Sequence, residues 1–373
     1  MATSSDNHVV CVPWSALIDL CVHVLRKMGL SEADACVVAD VLLSADLRGI
    51  DSHGVARLGF YVEKLRQGVM IPSPAIRTVN ETDVTALIDA GGGMGHPVSV
   101  RAMEKAIQKA LDHGAGFVAV RNSNHYGIAG YYALMALEHD CIGISMTNSY
   151  PFVAPTFGRD AMLGTNPMAV AAPAGSERPF VLDMATSAVP FGKIEVYERQ
   201  EKSLPPGWAI DERGRPTTDA GRVAEHLMDR AGGGLLPLGG AGEMLGGHKG
   251  YGLALLVDVL CGVLSGALYA DRVYPQAPDG TFLPSGIGHF FGAWRVDAFR
   301  PLAGFASAMD DLQRRLKTAP KAEGQRRIYV HGEKEFEEFE LRAREGIPLN
   351  RKVLAELEKI ADELDVGFNL PFL

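Results

Sequence analysis

The feature that most constrains the fold is an alternation of helical and strand patterns in the middle of the chain. A helical pattern at about residues 98–112 precedes an apolar strand pattern at Phe117–Arg121. A second helical pattern at about 128–139 precedes the run IGISMT, and MAVAAP and FVLDM follow as further strands. Such an alternation is typical of an α/β core, in which helices cover a sheet.

Both ends of the chain have helical patterns. Residues 13–30 and 31–47 predict two helices, the second opened by a capping box, SEAD, at Ser31. We expect another helix from near Ser52 to Gly68, and a C-terminal helix behind an Asn350 cap. The chain is therefore predicted to be α/β (α+β), with residues 1–75 and 312–373 in a helical domain and residues 76–311 in a central α/β domain.

Two further segments carry predictions about packing. Residues 202–250 are rich in glycine, proline and charge and have little periodicity, which is typical of a functional loop or a lid. The apolar run LALLVDVLCGVLSGA at 253–267 contains Asp258 and is shorter than the roughly 20 residues that a membrane span needs. We expect this run to form a buried helix.

Charge and cysteine usage exclude several classes of partner and location. The net charge is −9, from 36 basic and 45 acidic residues, and no Lys/Arg block occurs, which argues against nucleic acid or an anionic membrane as a partner. The first residues, MATSSDNHVVCV, lack the basic and apolar regions of a secretory signal. The five cysteines are widely spaced without a C-x-x-C motif, so reduced thiols in a cytoplasmic protein are expected.

Familiar nucleotide and hydrolase motifs are missing. The sequence contains neither a phosphate-binding G-x-x-x-x-G-K-[ST] loop nor the G-x-S-x-G of α/β-hydrolases. The run GAGFVA at Gly114 follows a helix and opens a strand, which is the reverse of the order that places a diphosphate on a helix N-terminus. A standard Rossmann site is therefore not expected.

The first polar cluster is DSHGVAR, which carries His53 and Arg57 four residues apart. On a helix the two side chains would share a face, away from the apolar positions Val55, Leu58 and Val62. They form either an ordinary solvated face or a site. Arginine binds carboxylates through two parallel hydrogen bonds, so a site here would suit an anionic substrate.

The second cluster, NSNHYG, places His125 between a predicted strand and a predicted helix, where α/β proteins bind ligands. His125 is either a hydrogen-bonded structural residue or a proton carrier. Asp183 ends the strand run FVLDM and either caps the next segment or shares a proton with a histidine.

Two weaker signals remain. GGHKGYG at 246–252 is either a flexible loop or a place where backbone and Lys249 approach a cofactor. GTNP at 164–167 reads as a turn. His53, His125 and Asp183 could form a two-histidine, one-carboxylate metal set, but their spacing lacks a ligand signature and the adjacent arginine disfavours a cation, so no metal is predicted.

Taken together, the motifs resemble the type-2 malate/L-lactate dehydrogenases over nearly the whole chain. This family includes L-sulfolactate, ureidoglycolate and 2,3-diketogulonate oxidoreductases and reductases of cyclic imino acids such as piperideine- and pyrroline-2-carboxylate. The resemblance rests on these runs in this order: DLRGIDSHGVARL, NSNHYGIAGYY, TNS, GTNPMAVAAP, VLDMATS, GGHKGYG and HGEKE. It implies NAD- or NADP-dependent homodimers of non-Rossmann fold, in which a helical part packs on a central mixed-sheet cofactor domain.

The resemblance also implies roles for individual residues. His53 and His125 would be acid/base residues, Arg57 the substrate-carboxylate clamp, and Ser149 a substrate or cofactor contact. Asp183 would be a cofactor contact, or a proton donor as in the imino-acid branch. The other implied cofactor contacts, besides His125, are Val181, Leu182, Met184, Ala185, His248, Lys249, Gly332 and Glu333. Several members have proline where this chain has His331.

Three functional hypotheses follow. The first is hydride transfer between nicotinamide and C2 of a small 2-hydroxy or 2-oxo acid, with His125 as acid/base because of its strand-to-helix position. The second is reduction of a cyclic imino acid, since VVCVPWSALIDL and DMATS resemble that branch. The third is a non-catalytic binding protein on the same fold. The sequence leaves open the substrate, the choice of NAD or NADP, and the division of work between the two histidines.

Overall fold

The structure, a computed structural model, describes residues 9–371. Its helices are α1 (Trp14–Lys27), α2 (Glu32–Leu47), α3 (Leu58–Arg66), α4 (Gly95–His113), α5 (Ala129–Met135), α6 (Phe191–Arg199), α7 (Ala220–Met228), α8 (Gly247–Asp258), α9 (Leu302–Thr318), α10 (Glu333–Glu345) and α11 (Arg351–Glu363). Its strands are β1 (Val9–Val12), β2 (Arg77–Glu81), β3 (Thr85–Asp89), β4 (Ala115–Ser123), β5 (Cys141–Thr147), β6 (Met168–Ala172), β7 (Phe180–Met184), β8 (Ala209–Ile210), β9 (Pro216–Thr217), β10 (Gly234–Leu235), β11 (Ile287–Arg295) and β12 (Ile347–Asn350).

A seven-stranded mixed sheet forms the centre of the molecule. Its strand order is β2-β3-β4-β11-β5-β6-β7. Only β3 and β4 run parallel, and every other neighbouring pair is antiparallel. Helices α4 and α5 pack on this sheet over an apolar core that includes Val118, Tyr132 and Phe291. The predicted α/β class and its non-Rossmann type are confirmed, since a doubly wound Rossmann sheet is parallel.

The helical part joins the two ends of the chain. Strand β1 pairs antiparallel with β12, so Val9 lies opposite Asn350. A shared apolar core contains residues of α1, α2, α3 and α11. Both predicted caps are confirmed: Ser31 accepts the N–H of Asp34, and Asn350 accepts the N–H of Lys352. The domain division stays a prediction, although its boundary at 311/312 lies inside the continuous helix α9.

Residues 202–250 are more ordered than their composition predicts. They contain the small sheet β10-β8-β9 and helix α7. Together with α6 they bury an apolar core around Ile194, Val223 and Leu235. Periodicity failed to reveal this region because its strands are only two residues long.

Two helix predictions were wrong. The helix expected from Ser52 begins only at Leu58, and two short 3₁₀ turns, Asp51–His53 and Val55–Arg57, precede it. The apolar run at 253–267 is not a buried helix. The run forms the second half of α8 and the short π-helical turn Val259–Val263 that follows it. One face of the run is open to solvent, with Val263 57% and Leu264 59% exposed. No helix within residues 9–371 combines the length and apolarity needed to cross a bilayer.

A buried histidine links three strands of the central sheet. His289 of β11 bonds Thr147 of β5 through Nδ1 and Ser123 of β4 through Nε2, both at 2.8 Å. Its ring stacks on Tyr126 at 4.7 Å. Burial lowers the pKa of His289 to about 3. The folded protein therefore holds this ring neutral, whereas the unfolded chain protonates it below about pH 6.5.

The buried imidazole makes stability fall with acid. Because the folded pKa lies below the unfolded one, stability is lost as pH falls from about 6.5 toward 3. Between pH 7 and pH 5 this one group is expected to remove about 2 kcal/mol from the free energy of unfolding. Glutamine can keep both hydrogen bonds without titrating. Urea unfolding of the wild type and His289→Gln at the two pH values should thus show a weaker pH dependence in the variant; equal dependence would contradict this account.

Candidate active site

The turn that carries His53 and Arg57 is seated on a buried carboxyl group. Asp46 of α2 is 1% exposed, and its Oδ2 accepts the N–H of Val55 at 2.8 Å. A Cβ atom at Gly54 would lie 1.8 Å from Asp46 Oδ1, so only glycine fits here. Burial raises the pKa of Asp46 to about 7. This contact explains why the predicted helix breaks into two 3₁₀ turns before Leu58.

Helix α10 holds the same turn from the other side. The Arg342 guanidinium donates to the backbone oxygen of Asp46 at 2.7 Å and to the carboxylate of Asp51 at 2.5 Å. On the turn itself, Arg57 Nε donates to the backbone oxygen of Ser52 at 2.8 Å. The turn is therefore fixed by residues distant in sequence, which periodicity could not reveal.

The structure brings His53 and His125 together. Their rings stack with centroids 5.5 Å apart and planes 23° apart. His125 lies between β4 and α5, the strand-to-helix position that the sequence predicted. Both residues are half-buried. Two histidines in contact beside one arginine offer a proton acceptor and an anion-binding group at a single place.

A buried tyrosine that the sequence reasoning missed contacts this pair. Tyr61 of α3 is fully buried, and its hydroxyl lies 2.7 Å from Nδ1 of His125. The N–H of Gly127 also donates to Nδ1, at 3.3 Å, which favours the tautomer with its proton on Nε2. His53, Arg57 and Tyr61 follow one another at intervals of four residues, and this spacing was the available signal.

Charge and burial keep both histidines neutral near pH 7. Burial, followed by the charge of Arg57, lowers the pKa of His53 to about 4. Burial, together with His53 and Arg57, lowers the pKa of His125 well below its usual value. A bound anion would oppose the effect of Arg57 and raise both pKa values.

A cleft of about 290 Å³ lies between α5, β7 and the start of α10. Of the predicted cofactor contacts, Val181, Asp183 and Gly332 line it. Asp183 Oδ2 accepts the N–H of Gly130 at the N-terminus of α5, at 2.7 Å. Burial raises the pKa of Asp183 to about 6. Asp183 thus anchors α5 rather than capping the segment after its own strand.

The other predicted site residues lie outside the lining of this cleft. Leu182, Met184 and Ala185 continue along or just after β7, and His248 and Lys249 are exposed in the first turn of α8. The predicted loop at 246–252 is therefore mostly helical. The backbone N–H of Ser149 donates to Asn166 Oδ1 at 3.2 Å, just beyond β5.

The carboxylate of Glu333 is held by hydrogen bonds and ion pairs within the protein. Its side chain is almost fully buried at the start of α10, where it accepts the N–H of Val330 at 2.9 Å. It also pairs with Lys317 at 3.1 Å and Arg327 at 3.3 Å. These contacts occupy both carboxylate oxygens. A cofactor role for Glu333 stays a prediction.

Metal-ligating side chains do not gather in the described part of the chain. Within residues 9–371 no group of three or more histidine, cysteine, aspartate or glutamate side chains is arranged to hold an ion. His53, His125 and Asp183 accordingly are not arranged as the two-histidine, one-carboxylate set that the sequence analysis considered and disfavoured.

Comparison with known proteins identifies the family. The malate/L-lactate dehydrogenase family matches residues 12–358. The chain is 49% identical to a malate dehydrogenase of Pyrococcus horikoshii over 361 residues, which cover 97% of each chain. The solved malate dehydrogenase of Entamoeba histolytica superposes with a TM-score of 0.92 at 36% identity, over 96% of this chain and 99% of that one.

A more distant likeness bears on the imino-acid branch. The structure of a Δ¹-piperideine-2-carboxylate reductase from Pseudomonas syringae pvar. tomato superposes with a TM-score of 0.79 at 27% identity, over 94% of this chain and 99% of that one. The fold is thus shared across both branches, while sequence identity is higher on the malate side. Because the family match covers nearly the full length, this chain belongs to the malate/L-lactate dehydrogenase family.

Proposed function

We propose that the protein is an NAD- or NADP-dependent dehydrogenase of a small 2-hydroxy acid related to malate or lactate. The observation that carries the proposal is the stacked pair His53–His125 beside Arg57, with Tyr61 bonded to His125. A neutral imidazole near pH 7 can accept the proton of a hydroxyl group, and a guanidinium can bind a carboxylate. The similarity to malate dehydrogenases supports this substrate class.

The cleft beside β7 is the proposed cofactor site. Gly332 begins the turn into α10 with φ of +95°, and a Cβ there would lie 3.0 Å from Val181, so its backbone forms a close wall. Val181, Asp183, Gly332 and the start of α5 would hold the cofactor. When bound, the nicotinamide supplies the hydride chemistry.

The protein's own residues then bind, orient and move a proton. Arg57 holds the substrate carboxylate and so fixes the position of C2. In the oxidising direction the ring is in the tautomer that is protonated on Nδ1 and donates to the Tyr61 oxygen, so Nε2 of His125 can accept the hydroxyl proton; in reduction Nε2 returns the proton. Tyr61 can donate to or accept from Nδ1, so it holds the ring in either tautomer. His53 supports the substrate or shares the proton, and Ser149 is a proposed substrate contact.

Tyr61→Phe is expected to lower kcat by about tenfold, the value of one well-made hydrogen bond. The variant removes the only side-chain bond to His125 found within residues 9–371. The ring should then change its tautomer balance, which ¹⁵N NMR of the imidazole would report. Tyr131→Phe is the control, because Tyr131 bonds Asp40 instead of a site histidine. An unchanged kcat and an unchanged NMR signature would contradict the role of Tyr61.

A homodimer is part of the proposal. An open apolar face on the end of α8 and the π-helical turn after it includes Leu255, Leu256, Val259, Val263 and Leu264, each 43–59% exposed. Such a contiguous apolar surface is typical of an interface between proteins. We propose that a second copy of the chain covers it; light scattering that reports a monomer at micromolar concentration would contradict this.

The carboxyl group of Asp183, which lines the cleft, favours a second candidate, reduction of a cyclic imino acid. With a pKa of about 6, this carboxyl is partly protonated near neutral pH and could donate a proton to a carbon–nitrogen double bond. The reductase of Pseudomonas syringae pvar. tomato shares the fold. Higher sequence similarity to the malate enzymes places this candidate second.

A steady-state screen tests the proposal and separates the candidates. Oxaloacetate, pyruvate and Δ¹-piperideine-2-carboxylate would each be offered with NADH and with NADPH. Oxidation of the nucleotide with a 2-oxo acid at the highest kcat/KM supports the dehydrogenase. Preference for the cyclic imino acid supports the reductase. No turnover and no change in NAD(P)H fluorescence on mixing would instead favour a binding protein.

A further inference from the structure

Arg48, in the proposed cofactor cleft, has a guanidinium group that packs on aromatic rings but whose N–H groups have no hydrogen-bond acceptor in the described part of the protein. Arg48 follows α2 and lines the cleft with Asp183, Gly130 and Gly332. Its guanidinium lies 5.1 Å from the ring centre of Phe336 and 5.5 Å from that of Phe339, both on α10. Stacking on aromatic rings fixes the orientation of the group before any ligand arrives.

The donors of Arg48 have no partner in the described part of the protein. The side chain makes neither a hydrogen bond nor an ion pair within 4.0 Å to any residue between 9 and 371, and its Nε is buried without a partner. The two terminal nitrogens are not among the buried unpartnered atoms. A buried N–H group without an acceptor lowers the stability of a folded protein. The unpaired N–H groups of Arg48 therefore indicate a binding site for an anion that is not part of the chain.

The neighbouring Arg178, by contrast, has acceptors for its guanidinium N–H groups. Arg178 lies 5.9 Å from the same Phe336 ring. It bonds both carboxylate oxygens of Glu340, at 2.9 and 3.0 Å, and the backbone oxygen of Glu333 at 3.2 Å. Arg178 is therefore held by the fold, whereas Arg48 is stacked in the same way but faces the cleft.

The acidic groups nearby do not take the place of a ligand. Asp183 and Glu335 share the cleft and act on Arg48 only through longer-range charge. The Asp183 carboxyl is occupied by the N–H of Gly130. Glycines at 130 and 332 let backbone form the walls, so a bulky anion can approach the arginine closely.

We propose that Arg48 binds a phosphate group of the dinucleotide cofactor. This inference rests on the proposed function and adds to it a residue that the motif comparison did not assign to the site. The planar fork of arginine matches two oxygens of a phosphate, and such charge-assisted pairs are among the strongest hydrogen bonds in proteins. The phosphate is either the diphosphate bridge, present in NAD and NADP, or the 2′-phosphate that only NADP carries.

The test is the dissociation constants of NADH and NADPH, measured by nucleotide fluorescence for wild type, Arg48→Gln, Arg48→Lys and Arg178→Gln. Arg48→Gln is expected to weaken binding by on the order of 10- to 100-fold. Equal weakening of both nucleotides assigns the diphosphate, and weakening of NADPH alone assigns the 2′-phosphate. Arg48→Lys keeps the charge without the fork and should show a smaller loss, whereas Arg178→Gln should bind like wild type.

Dissociation constants within twofold of wild type for both nucleotides in Arg48→Gln would overturn the inference. If that variant does not fold, as judged by its thermal transition, the same criterion applied to Arg48→Lys decides. A loss of equal size in Arg178→Gln would also overturn it, since the effect would then come from α10 in general. Wild type that binds neither nucleotide would refute the proposed function itself, which is a distinct outcome.

Discussion

Replacing His125 by alanine is expected to lower kcat by about 100- to 10,000-fold, the range that a general acid/base supplies. The reason is its position: the ring is fixed by Tyr61, stacked on His53 and neutral at pH 7. Loss of the imidazole leaves Arg57 and the cofactor cleft in place. Substrate and NAD(P)H should therefore still bind, and the affinity for the nucleotide should change by only a few fold.

Two variants make this result specific. His53→Ala should raise KM more than it lowers kcat if His53 mainly supports the substrate, and should match His125→Ala if the two share the proton. His139→Ala alters an exposed histidine at the end of the 3₁₀ turn Ala136–His139, which follows α5, and should behave like wild type. Near-normal turnover in His125→Ala, with a normal thermal transition, would show that His125 is not the acid/base residue.

Gly54→Ala is the second change with a large expected effect. The added Cβ would lie 1.8 Å from Asp46 Oδ1, inside a contact that has no room to relax toward solvent. We expect the free energy of unfolding to fall by about 3 kcal/mol, and kcat/KM by about 100-fold because His53 and Arg57 shift with the turn. Urea unfolding and steady-state kinetics measure the two effects.

A glycine without such a neighbour is the matched control. Gly221 lies inside helix α7, and the nearest atom to a Cβ there is Asp219 Oδ1 at 3.8 Å. Gly221→Ala should leave activity unchanged and stabilise the protein by about 0.5–1 kcal/mol. If Gly54→Ala retained both wild-type stability and wild-type kcat/KM, the seating of the turn on Asp46 would be of no consequence.

The core of the fold was predictable because its signals are local. Strands β4 to β7 and the helices between them follow from apolar runs and turn residues within a few positions of each other. The helix expected from Ser52 was wrong because the apolar positions Val55, Leu58 and Val62 keep helical spacing through a turn. What breaks that helix is Asp46 on a neighbouring helix, and no local pattern encodes such a contact.

The site was predictable only in part, because local sequence patterns do not encode contacts between distant elements. Motif resemblance and position pointed to His53, Arg57 and His125, and the structure brings the two histidines into contact. Tyr61 was missed because its role depends on a contact with His125 on another element. Arg48 was missed because its role depends on packing against α10 and on N–H groups that have no acceptor within the described residues. A buried tyrosine looks like core and an arginine after a helix looks like surface until the tertiary contacts are known.

The pairing of β1 with β12 has a consequence for synthesis on the ribosome. The turn that bears the histidine and arginine is held by Arg342, and the helices around it share their core with α11, which is synthesised after every strand of the central sheet. Closing so long a loop carries an entropic cost that only the contacts made by β12 and α11 can offset. The nascent N-terminal helices therefore keep an uncovered apolar face, and catalytic competence should arise only once α11 has left the ribosome rather than domain by domain during elongation.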